Sequence, residues 1–266
     1  MWSQSSRNLL RRTSFVLKND NPVRTMKKQG AGPDALKERN KNRYWRFPKS
    51  NTSPRQNFDY FLVLDFEATC EENKKIDVQE IIEFPCIKVN AISLEPEAIF
   101  HQYVMPTVNP ELSHFCTKLT GITQEMLEGQ SNFKQTMQQF DQWLHEQGCA
   151  NNRSTFVTCG DWDLKIQLPK QCQTEGIELP QYFTSWINIK HSFAEATSQF
   201  PRGIVDMMSR LNLKPLGRLH SGIDDCRNLT KVLQKLAYEG YVFHKTGFTW
   251  QRSGFAPSGQ TQEPKS

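Results

Sequence analysis

Six side chains in this sequence have types and spacings that suit chemistry. Asp65 and Glu67 are two apart at the end of an apolar run, and alternation along a strand would project both carboxylates to one side with Phe66 opposite. Two neighbouring anions at a strand edge are costly without a compensating cation, and hard oxygen donors suit Mg²⁺ or Mn²⁺. Taken alone, Asp-x-Glu is also what a strand ending at solvent looks like, and so short a pattern recurs by chance. Asp161 and Asp163 flank Trp162 just after a short β-rich segment. Either can cap a helix or bind a cation, and spacing does not choose between them. His220 and Asp225 are five apart, with Ser221-Gly222 able to form the bend into a helix. An imidazole there suits proton transfer near neutral pH, whereas a lone histidine before a helix is more often structural.

The elements that must position these residues follow from periodicity. Tyr60 to Phe66 is almost continuously apolar, as expected of a central strand covered on both faces. Ile81 to Ala91 and Ala98 to Val104 are β-rich and separated by Ser93 to Glu97, which predicts a three-strand meander with the first run. Phe133, Met137, Phe140, Trp143 and Leu144 recur at helical spacing. A strand is expected at Thr155 to Thr158, then a helix starting near Asp161 to Asp163 that Pro169 breaks or kinks, and a long final helix from Gly222 to Glu239. Strands followed by helix, strand and helices indicate an α/β domain with a mixed sheet.

Asp-x-Glu, a later Asp and His-x-x-x-x-Asp, in this order, resemble the signature of the DEDDh exonucleases. The segments FLVLDFEATC (Phe61 to Cys70), EIIEFP (Glu80 to Pro85), FCTKLTGIT (Phe115 to Thr123), WINIK (Trp186 to Lys190) and HSGIDDC (His220 to Cys226) look like the Eri-type exoribonuclease branch. VTCGDWDL (Val157 to Leu164) looks especially like its short member. The resemblance covers about residues 57–250. It implies a ribonuclease H-like mixed β-sheet flanked by helices and 3'-to-5' hydrolysis of RNA to nucleoside 5'-monophosphates. It also implies Asp65, Glu67, Asp163 and Asp225 as ligands of two Mg²⁺ ions, with Mn²⁺ able to substitute. Glu67 and His220 are then catalytic, with His220 as general base. A terminal-nucleotide pocket is implied around Ala68, Phe115, Leu119, Ile122 and His220, although the apolar members suit a core equally well. Arg218-Leu219-His220 departs from the family's Arg-Pro-His and removes a rigid link before the histidine. No segment resembles the SAP module of longer members, so recognition through that module is not carried over. Rival readings are a binding or scaffold protein using the same fold, and a nuclease acting chiefly on DNA.

Composition sets the remaining bounds. The 266 residues carry a net charge of +5, divided unevenly: residues 1–57 have 14 Lys or Arg against three acids, net +11, and the rest is net −6. An acidic domain repels a polyanion, so bound cations or the basic segment must offset it. Residues 1–56 are expected to form a disordered basic tail, and 251–266 a disordered C-terminus. The first 30 residues have the arginine, serine and leucine content of a mitochondrial presequence; otherwise cytoplasm or nucleus is expected. Lys37 to Lys49 interleaves bases with Tyr44, Trp45 and Phe47, which suits nucleic acid. Seven scattered cysteines without a C-x-x-C pair argue against a zinc site and a disulfide framework and suit a reducing compartment. No run is long and apolar enough to span a bilayer, so no membrane association is expected, and protein partners are not specified.

Overall fold

Strand β1 (Tyr60–Leu64) is apolar at every buried position because both its faces are covered. Phe61 and Val63 point into one core and Leu62 and Leu64 into another, as the two-residue period of a strand requires. The structure is a computed structural model that describes residues 53–151 and 153–249. The tail, the presequence-like segment, Lys37 to Lys49 and the C-terminal segment 251–266 lie outside the described residues, except for 53–56. Those four residues, assigned to the tail by composition, are held to the domain. Gln56 is buried, donating to the Tyr241 carbonyl at 3.0 Å and accepting from the Phe243 N–H at 3.0 Å.

β1 pairs antiparallel with β3 (Ile81–Asn90), which pairs antiparallel with β4 (Pro96–Tyr103), giving the expected meander. The first strand is shorter than its apolar run predicts. It ends at Leu64, and Glu67–Ala68 forms a separate two-residue strand, β2, on the same edge of β3 with a register shift. The physical reason lies in the break itself: the Phe66 N–H leaves the ladder and donates to Asp163 Oδ1 at 2.9 Å. β1 is parallel to β5 (Ser154–Thr158), and β5 to β6 (Ser185–Asn188); β7 (Gly247–Phe248) closes the sheet antiparallel to β6. The last two strands carry too little periodic pattern to be read from sequence.

Helices α1 (His114–Thr120), α2 (Gln124–Leu127) and α3 (Phe133–Glu146) connect β4 to β5. Asn132 caps α3 by accepting from the Gln135 N–H at 3.0 Å, and the Gln135 side chain accepts the Asn132 N–H in return. The stripe Phe133, Met137, Phe140 and Leu144 is buried against the sheet. After β5 the chain makes a π-helical segment at Asp163–Gln167 and then α4 (Leu168–Thr174). Pro169 sits in the first turn of α4, where it has no N–H to offer the turn before it, so the helix widens there rather than breaking. Helices α5 (Ile189–Thr197), α6 (Ile204–Arg210) and α7 (Gly222–Tyr238) cover the opposite face. Among the described residues no helix is long and apolar enough to cross a membrane, and all seven cysteines are free.

Candidate active site

The carboxylates meet at the edge of the sheet where β1 and β5 both end. Asp65 follows β1 directly and Glu67 lies in β2. Asp163 opens the π-helical segment a few residues after β5, and Asp225 sits in the first turn of α7. Glu67, His220 and Asp225 each offer one ligand atom, and these atoms all lie within 4.8 Å of one another. Asp65 and Asp163 join this trio through charge. Burial first, and then the charges of Asp163, Asp225 and Glu67, hold the Asp65 carboxyl well above the usual carboxylate range. Glu67 is raised in the same way by burial and then by Asp225, Glu83 and Asp163. Burial pushes Asp163 up to about 6 against the stabilising Phe66 N–H, and Asp225 up to about 7 against the His220 N–H. Asp161 faces elsewhere: its Oδ1 accepts from Trp186 Nε1 at 3.0 Å and Asn188 Nδ2 at 3.1 Å, tying the loop to β6.

One atom states what the cluster lacks. Asp225 Oδ2 accepts the His220 N–H at 2.9 Å, while its Oδ1 is buried and has no hydrogen-bond partner among the described residues. A buried carboxylate oxygen without a donor, among other carboxylates that are hard to ionise, is the donor chemistry of a divalent cation site. The residues present fit such an ion.

His220 is held in an unusual place. Its φ of 61° lies in the left-handed region, which histidine tolerates better than most residues. The preceding loop is tied to α7 by side chains: Asn228 accepts the Leu216 N–H at 2.8 Å and donates to the Leu216 carbonyl at 3.0 Å, and Asp224 accepts the Arg218 N–H at 2.9 Å. Arg218 reaches across to α1, donating from Nη2 to the carbonyls of Lys118 and Leu119. Burial and then the Arg218 charge lower the His220 pKa from its ordinary value.

Residues 62–233 match the RNase_T exonuclease family. The chain belongs to this exonuclease family. ERI1 exoribonuclease 3 of Homo sapiens is 48% identical over 196 residues, covering 73% of this chain and 58% of that protein. The chain therefore spans less than two thirds of that relative's length. The 3'-5' exonuclease Snipper of Drosophila melanogaster is 35% identical over 214 residues, covering 74% of this chain and 76% of Snipper. Among solved structures, the nuclease domain of 3'hExo, a DEDDh family member bound to rAMP, superposes with a TM-score of 0.71 at 33% identity, covering 74% of this chain and 100% of that one. The fold is thus the ribonuclease H-like mixed sheet of the DEDDh nucleases.

Within this exonuclease family, Leu219 replaces the rigid proline expected before the histidine, yet the loop does not depend on it. Asn228 and Asp224 supply the restraint from the helix side. The implied pocket residues separate into two kinds. Ile122 is 2% exposed and packs with Cys70, Ile82, Cys116 and Leu127, as a core residue does. The left-handed Gly121 turns it inward at the end of α1. Ala68 is buried in β2, whereas Phe115 and Leu119 are partly exposed on α1. Glu83 and Arg218 carry no role in the sequence reading. A lone acid inside the apolar stretch Ile81 to Pro85 was the available signal for the first.

Proposed function

We propose that this protein is a metal-dependent 3'-to-5' exoribonuclease that removes nucleoside 5'-monophosphates from RNA ends. The observation that carries this reading is the convergence of Glu67, His220 and Asp225 within 4.8 Å beside a buried, unpartnered carboxylate oxygen. Asp65, Glu67, Asp163 and Asp225 would hold Mg²⁺, with two ions per site and Mn²⁺ able to substitute; when bound, such ions neutralise phosphate charge and make water a stronger acid.

The remaining steps belong to the chain's own side chains. His220 accepts the proton of the attacking water on its ring. Its lowered pKa keeps the ring neutral at pH 7, the form able to accept. Asp225 holds the His220 backbone through Oδ2 and so fixes where the ring stands relative to Glu67. Phe115 and Leu119, partly exposed on α1, offer apolar surface to a terminal base and sugar, and Ala68 meets the same helix where its carbonyl accepts from the Cys116 thiol. RNA as substrate is supported by relatives named as exoribonucleases and by structural neighbours, one bound to rAMP and one described as recognising the histone mRNA stem-loop.

The test is a time course on 5'-labelled RNA and matched DNA, single-stranded and with 3' overhangs, in Mg²⁺. The expected result is stepwise shortening of RNA from the 3' end, abolished by EDTA and by Asp65→Asn. His220→Ala should slow it by about 100-fold or more. RNA binding that persists in EDTA with no shortening in Mg²⁺ or Mn²⁺ would instead make the protein a binding module. Preferential shortening of DNA would move the substrate class.

A further inference from the structure

A second group of side chains gathers along the same sheet edge, beyond the carboxylates. β1, β5 and β6 are parallel and paired through Val63↔Val157 and Thr158↔Asn188, so Asp65, Cys159 and Ile189 leave the sheet side by side. With neighbouring strands about 4.8 Å apart, the first turn of α5 stands roughly 10 Å from the end of β1 along this edge. In parallel sheets ligands sit outside the carboxyl ends of the strands, which is this edge. Lys190 lies in that first turn and is close enough to Cys159 to be felt there, together with the charges of Asp65, Asp163 and Asp225.

Phe200 returns to the same place. After α5 the chain reverses at Ser198, whose φ is 64°, and brings the Phe200 ring back to the helix start. The Lys190 ammonium stands 5.4 Å from its centroid and the His191 ring is 5.4 Å away in an edge arrangement. The ring is 57% exposed. Its loop is nonetheless pinned: Arg210 donates to Gln199 Oε1 at 2.8 Å, and Pro201, which is buried, restricts the backbone of Phe200 itself. An exposed aromatic ring on a fixed loop with a cation beside it has the parts of a single-strand platform, a face for a base and a charge for a phosphate. Phe248 is comparably exposed, but among the described residues it has no cation over its ring.

We propose that Phe200 and Lys190 form a binding subsite for single-stranded RNA, stacking a base upstream of the terminal nucleotide and contacting its phosphate. The proposal rests on the exonuclease reading, since that reading supplies the strand leading into the site. The subsite would add affinity for oligonucleotides over mononucleotides without reading sequence, because every base has a face to stack.

The experiment measures binding of 5'-fluorescein octaadenylate by anisotropy in Ca²⁺, with adenosine 5'-monophosphate as competitor, alongside shortening of the same octamer in Mg²⁺. Phe200→Ala is expected to lower the octamer-to-mononucleotide affinity ratio about tenfold, and Phe200→Trp to restore it. Lys190→Gln should flatten the slope of log affinity against log salt by about 0.7. Ile92→Ala, 84% exposed in the turn between β3 and β4, should bind the octamer as wild type does. Unchanged affinity ratio and salt slope in both subsite variants, a loss that Trp does not restore, or an equal loss in Ile92→Ala each overturn the proposal. A wild type that binds the octamer through Phe200 yet leaves it intact refutes the nuclease reading and sustains the subsite. Efficient shortening with unaltered binding in the variants does the reverse.

Discussion

The Glu83 carboxylate, buried in β3, accepts the Gly222 N–H at 2.8 Å and the Ile223 N–H at 3.0 Å, and so ties the sheet to the first turn of α7. His101 Nε2 lies 2.9 Å from the same side chain and completes its environment. Because α7 carries Asp225 and follows His220, this buried contact holds two of the proposed functional residues at their distance from Glu67. Glu83 is thus a positioning residue.

Replacing Glu83 by alanine leaves two buried helix N–H groups without partners, each worth about 1–3 kcal/mol when orphaned. We expect Glu83→Ala to lower stability by about 2–4 kcal/mol in urea denaturation and to abolish RNA shortening. Glu83→Gln keeps one good acceptor and should lose less stability. Equal stability of wild type and Glu83→Ala would remove the anchoring role.

Gly222 is required by closeness rather than by a left-handed backbone. A Cβ there would meet the Asp65 carbonyl at 2.6 Å and Pro85 Cγ at 3.0 Å, so α7 would have to move off the sheet. Gly222→Ala is expected to cost about 1–3 kcal/mol of stability. Turnover should fall further, by about 100-fold, because displacement of a catalytic group by about 1 Å is enough for that. The comparison of Tm with initial rate checks whether the larger loss is in rate.

The clustered carboxylates should make the metal-free protein weaker as pH rises. Asp163 and Asp225 have folded pKa values raised to about 6 and about 7, above their unfolded values. Their contribution is fully present at low pH and is lost as pH climbs through those values. Asp59, Glu97 and Asp206, whose pKa values are lowered, titrate below this window. The expected result is a higher metal-free Tm at pH 5.5 than at 7.5. Mg²⁺ or Mn²⁺ should raise Tm strongly at 7.5 and weakly at 5.5. Asp65→Asn should raise the metal-free Tm at pH 7.5 while removing activity.

Arg218 grips the carbonyl end of α1, and its charge adds to the larger effect of burial in lowering the His220 pKa. Loss of the charge in Arg218→Gln should move the acid limb of kcat/KM upward part of the way to the ordinary histidine value of about 6.5, since burial still lowers it. Arg218→Lys keeps the charge and loses the two-carbonyl grip, so it should leave the acid limb in place while kcat falls a few-fold. Both variants should melt close to wild type, since Arg218 is exposed. An unmoved acid limb in Arg218→Gln would detach Arg218 from His220.

Much of the fold was legible because it rests on local pattern. The apolar run of β1, the meander, the stripe of α3 and the inward residues of α7 follow from periodicities of two and 3.6, which neighbouring residues set among themselves. The short β6 and β7 escaped because they pair with distant strands and have no room for a period. The end of β1 was placed two residues late because Phe66 is apolar. Nothing nearby reveals that its N–H is taken by a residue 97 positions away.

By itself the sequence determined the chemical inventory, the carboxylates and histidine in their order, and the family likeness that favours Asp163. Tertiary structure alone decided what those residues face. It turned Asp161 toward β6 and Asp163 toward Phe66, put Ile122 in the core, made Glu83 the anchor of α7, and brought the Phe200 ring to Lys190 at the start of α5. The reason is that local propensities act over a few residues, whereas Glu67 and Asp225 meet only after sheet order and helix docking have been settled by burial across the whole chain.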